Sequence, residues 1–122
     1  MEKTIFRFDP KPTFDLVIPI PVPGEGYAPV TFTCRYRTRK QYSAFVGGLT
    51  SATDTDVVSS IVTGWNLDVD FTPENIEKLV ENYMGAAAAI LAAYSEELMR
   101  VREKNRLKPR NSFSGRRQIW TG

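Results

Sequence analysis

The sequence predicts an α+β fold: an N-terminal antiparallel β-hairpin, then a bundle of about four α-helices, then a flexible basic C-terminal tail. Three observations carry this. Apolar residues alternate with period two between about residues 14 and 37. From about residue 39 the apolar spacing changes to three and four, the signature of helices with one buried face. Beyond residue 100 the charge turns strongly basic. With 122 residues the chain is long enough for one modest core. We therefore expect a single α+β domain over residues 1–105, with the hairpin at about 14–37, helices at about 39–105, and the tail at 106–122.

The opening stretch carries Ile5, Phe6 and Phe8, but Pro10 and Pro12 make it an arm or connector instead of a helix. In FDLVIPI, Phe14, Leu16, Ile18 and Ile20 fall on one side of a strand. Pro19 and Pro21 have no amide donors, so this strand should lie at a sheet edge or end there. PVPGEGYAP reads as a long, turn-rich connection. The next strand, VTFTCRYR, places Val30, Phe32, Cys34 and Tyr36 on one face and Thr31, Thr33, Arg35 and Arg37 on the other.

Thr38 and Gln41 form a capping-box pattern at the first helix, which carries Tyr42, Phe45, Val46 and Leu49 and weakens at Gly47-Gly48. Thr53 and Asp54 are cap candidates for a second helix with Val57, Val58, Ile61, Val62 and Trp65 on one face, and Gly64 is its expected stop. In the following link, Leu67, Val69 and Phe71 alternate with Asn66, Asp68 and Asp70, so one side is expected to be buried and the other wet. Thr72 caps a third helix, Pro73 takes its first turn, and Glu74 suits the positive end of its dipole. Ile76, Leu79, Val80 and Tyr83 form its apolar face. Gly85 separates it from AAAAILAAYSEELMRVREKN, whose expected buried stripe is Ile90, Leu91, Tyr94, Leu98 and Val101. The alanines allow another helix to approach closely, in this chain or in a second copy.

Histidine is absent from the chain. That removes the usual general base and proton shuttle, the Ser–His and Cys–His pairs, and most zinc sites. Asp68 and Asp70 invite a calcium-loop reading. Such a loop starting at Asp68 needs glycine at its sixth position and a bidentate glutamate at its twelfth. Pro73 and Leu79 stand there, so the stretch reads as a structural joint. Cys34, the single cysteine, reads as a small buried hydrophobe, and the glycines follow no phosphate-loop pattern. No catalytic residue, metal or cofactor is expected, and no enzyme. The longest apolar run, YMGAAAAILAAY, is shorter than the roughly 20 residues of a membrane span. Together with the lone cysteine and a start that lacks a secretory pattern, this leads us to expect an intracellular protein.

Charge offers two candidate surfaces. Arg35, Arg37, Arg39 and Lys40 lie between Tyr36 and Tyr42, and basic–aromatic interleaving can follow a nucleic-acid backbone. A wet strand face with inward tyrosines accounts for the same residues. Arg100 to Gly122 carries a net +7, leaving −5 for the first 99 residues within the net +2 of the whole. Such a tail suits phosphates or a partner protein, with Phe113, Ile119 and Trp120 as apolar anchors.

The order of parts resembles a known family. A proline-rich start, a strand ending in RYRTR, a helix, then VTGW with an acidic link, F-x-x-E-N-I, and an alanine-rich helix ending in REKN are similar to the small tail assembly chaperones of long-tailed bacteriophages. The likeness spans about residues 10–105. It implies a non-enzymatic assembly factor that holds the long, helical tape measure protein, helps recruit tail tube subunits, and leaves before the tail is finished. It further implies work in the cytoplasm of the bacterial host and absence from the mature virion. Self-association is open. Candidate partner contacts on this reading are Tyr83, Met84, Tyr94 and Trp120. The competing class is a small nucleic-acid-binding regulator using Arg35 to Lys40 and the basic tail.

Overall fold

The structure, a computed structural model, describes residues 4–100. The basic tail, Val101 and Trp120 lie outside the described residues. The N-terminal arm leads into β1 (Thr13–Val22) and β2 (Gly26–Arg35), which pair antiparallel from Thr13↔Arg35 to Val22↔Gly26. Only three residues join them. Gly24 and Gly26 take left-handed backbone (φ 80° and 98°), and Glu25 N–H donates to Val22 O at 2.9 Å. The connection is thus tighter than its proline and glycine content suggests.

The prolines are accommodated by register. Pro19 faces Pro29. Neither has an N–H, so the pair must occupy a site where the backbone groups point away from the partner strand. Thr31, of the same parity as Pro29, shows this directly. It turns both backbone groups toward the next segment, accepting from Asn66 N–H and donating to Asn66 Oδ1, each at 3.1 Å. On the free edge of β1, Pro19 and Pro21 offer no donor, which blunts that half of the edge.

After the hairpin come α1 (Arg39–Gly47), a single 3-10 turn (Leu49–Ser51), α2 (Asp54–Ile61), β3 (Val62–Trp65), α3 (Pro73–Asn82) and α4 (Ala86–Met99). Thr38 and Gln41 close the expected capping box on α1, Thr53 and Asp56 close one on α2, and Thr72 caps α3 with Pro73 in its first turn. The second helix differs from expectation. It ends at Ile61, and Val62–Trp65 forms a third strand beside β2, completing a sheet of order β1-β2-β3. Ile61, Val62 and Thr63 are β-branched and favour the strand. A bulge between Thr33 and Cys34 in the register leaves Thr63 over, and its hydroxyl bonds Thr33 O at 3.3 Å. The bulge lets Val62 pair with Cys34 and Trp65 with Phe32, so both lie on the core side.

The helices cover one face of the sheet. Ile18, Ile20, Phe32 and Cys34 from the sheet meet Val57, Val58 and Ile61 from α2, Ile76 from α3, and Ala86, Ala87, Ile90 and Tyr94 from α4. Each fully buried isoleucine contributes about 1.5–3 kcal/mol through apolar surface removed from water. On the other sheet face Val17 and Tyr27 are exposed among the described residues. The alanines serve close approach within the chain, where α4 packs on β1 and α2. Gly85, the N-cap of α4, sits tightest: a Cβ there would lie 2.8 Å from Pro21 Cγ, a ring fixed to its strand.

Gly85→Ala should therefore destabilise the fold by about 1–3 kcal/mol through overpacking, measured by urea unfolding. Adding Pro21→Ala should recover most of the loss. A Gly85→Ala protein as stable as the parent would contradict the close approach.

Candidate partner-binding groove

Trp65 organises the link between β3 and α3. Its indole N–H donates to Val69 O at 2.8 Å, folding the link back on itself, and its ring meets Phe71 edge to face at 5.0 Å. Asn75 Nδ2 donates to Asp70 O at 2.7 Å, tying the link to the first turn of α3. Phe71 packs against the core, as its alternation predicts. Leu67 and Val69 do not: they are 37% and 49% exposed. The indole bond pins the backbone of residue 69 inward, and the curved link cannot present three alternate side chains to one flat surface. Asp68 and Asp70 are exposed, in keeping with a joint. Among the described residues no acidic, cysteine or histidine group is clustered to hold a metal ion.

The result is a shallow groove of about 180 Å³. Trp65, Leu67 and Val69 form one wall; Leu79 and Tyr83 of α3 and its C-cap form the other, rimmed by Asn75, Lys78 and Asn82. Tyr83 is half-buried, and Met84, next in the chain, is 86% exposed. Of the expected partner contacts, Tyr83 lines this groove, and Met84 follows it in the chain as an exposed side chain. Spacing alone did not mark Leu67 and Val69 as surface residues. The available signal was apolar side chains in a link too short to bury them.

Tyr94 lies elsewhere. It is completely buried and touches no solvent, so it is a joint of the fold instead of a contact surface. Its hydroxyl donates to Arg35 O at 2.8 Å and accepts from Arg37 at 3.0 Å. Burial raises its pKa above the ordinary tyrosine value, while the Arg37 guanidinium opposes that shift.

The basic patch is partly consumed by structure. Arg35 donates to the carbonyls of Ser60 (3.1 Å) and Ser59 (3.4 Å), satisfying the last turn of α2 at its negative end. Arg37 lies over the Phe45 ring at 4.4 Å while bonding Tyr94. Arg39 and Lys40 remain exposed. A larger hollow of about 520 Å³ opens here, with Arg37, Arg39, Tyr36 and Tyr42 facing Leu98 and Met99. Two anchored arginines are poorly placed to follow a mobile phosphate backbone.

The model of the phage tail assembly chaperone family matches residues 1–105. The chain belongs to that family. No curated protein and no solved structure matches it with significance. Membership supports a chaperone role in tail assembly, and the matched span contains every element described above. Among the described residues no helix is long and apolar enough to cross a membrane.

Two outcomes follow for the buried groups. Tyr94→Phe should lower stability by about 1–3 kcal/mol, because Arg35 O and Arg37 lose a buried partner; chemical denaturation measures it. Burial, with a smaller contribution from Asp15, pushes the Cys34 thiol from 9.0 to about 11. The folded state therefore holds this proton more tightly than the unfolded chain. Its stabilising contribution is complete below about pH 9 and is lost as pH rises to about 11. Cys34→Ala should flatten the fall in Tm across that window. A thiol reagent at pH 8 should leave native Cys34 unmodified.

Proposed function

We propose that this protein binds and solubilises the tape measure protein during tail assembly and helps recruit tail tube subunits around it. The observation that supports this reading is the groove between the 66–71 link and α3, with Leu67 and Val69 left in water along its wall and Met84 exposed next to Tyr83 in the chain. An amphipathic helix recognises such a surface through apolar residues repeating at three and four, while Lys78 and the asparagines set its orientation at the rim. Long helical clients expose such stripes before they are sheathed, and covering them prevents aggregation. The work is contact, with no chemical step. It takes place in the host cytoplasm before the virion is complete. Trp120, in the basic tail, is a proposed second anchor, and the +7 tail favours acidic stretches of the client or tube.

Co-expression with the tape measure protein, followed by size-exclusion chromatography with light scattering, tests this. Several copies of the chain should co-elute with each soluble client. Leu67→Asp with Met84→Ala changes exposed residues and should leave the fold intact while reducing soluble client about tenfold or more. Unchanged solubilisation by that variant would sink the groove assignment. An insoluble client beside a freely eluting chain would sink the tape-measure reading itself.

A further inference from the structure

Charge is spread unevenly over the body of the chain. Residues 54–81 carry seven carboxylates against the single cation Lys78, a net −6. This charge is concentrated on the outward face of α3. Glu74, Glu77 and Glu81 are exposed there at spacings of three and four. With Lys78, Val80 and Thr55 of α2 they line a shallow hollow of about 460 Å³. Among the described residues, none of the three glutamates takes part in an ion pair. Like charges one turn apart on a helix repel, so this face is stabilised by a cationic occupant.

We propose that segment 108–117 of the same chain docks on this face, setting Lys108 and Arg110 against Glu77 and Glu81. Charge, spacing and reach point to this occupant. The segment holds four cations and no carboxylate. In an extended chain Lys108 and Arg110 project to the same side, about 7 Å apart. Glu77 and Glu81 are offset by about 6 Å along α3. Pro109 biases the residue before it toward extended backbone, which suits this match. For reach, α4 begins just beyond the end of α3, and its 14 residues run about 21 Å away from there. A chain returning along α4 from Arg100 covers that length in about six or seven extended residues, which brings Lys108 level with Glu81. Exposed ion pairs are individually weak. A tethered segment offsets this, because its short connection gives it a millimolar effective concentration and its cations bind together. The contact lies within one copy and does not rest on the client reading. An acidic stretch of a client competes with α3 for the same cations.

Paramagnetic relaxation on the full chain tests this. A nitroxide on Ser112→Cys marks the segment, and buried Cys34 takes no label. In isotope-labelled protein at low salt, the nitroxide should broaden the amide signals of Glu77 and Glu81. Glu77→Gln/Glu81→Gln changes exposed side chains and should reduce that broadening about threefold or more, with circular dichroism checking that the fold is kept. Salt at about 1 M should remove it, because the Debye length falls to about 3 Å. Exchanging the charges, Glu77→Lys/Glu81→Lys with Lys108→Glu/Arg110→Glu, should restore it. Amide signals of α3 that stay sharp in the parent overturn the proposal, as does a glutamine variant broadened like the parent. A mixture of isotope-labelled chain without nitroxide and unlabelled chain carrying it should show no broadening. Broadening in that mixture as strong as within one chain assigns the contact to separate copies and also overturns the proposal.

Discussion

The hydroxyl of Tyr94 donates a hydrogen bond to the carbonyl of Arg35 and accepts one from Arg37, deep in a nest of aromatic rings. Phe14 lies parallel to its ring at 6.2 Å, Phe45 meets it edge to face at 6.0 Å, and Tyr42 leans on it at 6.5 Å. Those contacts reach β1, the end of β2, α1 and α4 at once. The first helix depends on them most, because none of its own residues is buried. Its attachment consists of Tyr42 and Phe45 against Tyr94, the Arg37 guanidinium over Phe45, and a 2.6 Å bond between the Tyr42 hydroxyl and Ser95. Nearby, the side chain of Arg35 closes the end of α2 while its carbonyl receives Tyr94. One strand end therefore satisfies two helices.

The same economy explains where the surface chemistry lies. The guanidinium groups of Arg35 and Arg37 complete hydrogen bonds within the fold, although Arg35 itself stays exposed. Leu67 and Val69, expected on the buried side of the link, stand out instead, and Met84 and Met99 are exposed as well. Leu67 and Val69 line the groove beside α3, whereas Met99 borders the separate hollow near Arg37.

Much of the architecture was legible in the chain. The alternation at 14–20 and 30–36, the capping pairs, and the proline at the start of α3 are local signals, and local physics decides them. The missed strand at Val62–Trp65 shows where such signals end. A spacing of three keeps two residues on one face of a helix, and a single bulge does the same in a strand, so Val62 and Trp65 fit both descriptions. Only the partner strand distinguishes them. Tyr94 was read both as core and as a contact; its helical stripe was the sounder guide, because spacing reports facing while function does not. Leu67 and Val69 escaped notice for a related reason. Their exposure follows from the indole of Trp65 reaching Val69 O, a tertiary bond that periodicity does not contain.

The facing prolines of the hairpin have one more consequence. Pro19 and Pro29 fit only where the ladder asks for no donor. A hairpin misaligned by one residue would carry one of the two missing donors into a position that needs it and would also turn the core face of one strand outward. Odd errors are therefore rejected twice, and even ones meet left-handed Gly24 in the three-residue loop and left-handed Gly26 at the start of β2, which close in a single alignment. The prolines act as a parity check on the hairpin, written into the chain itself.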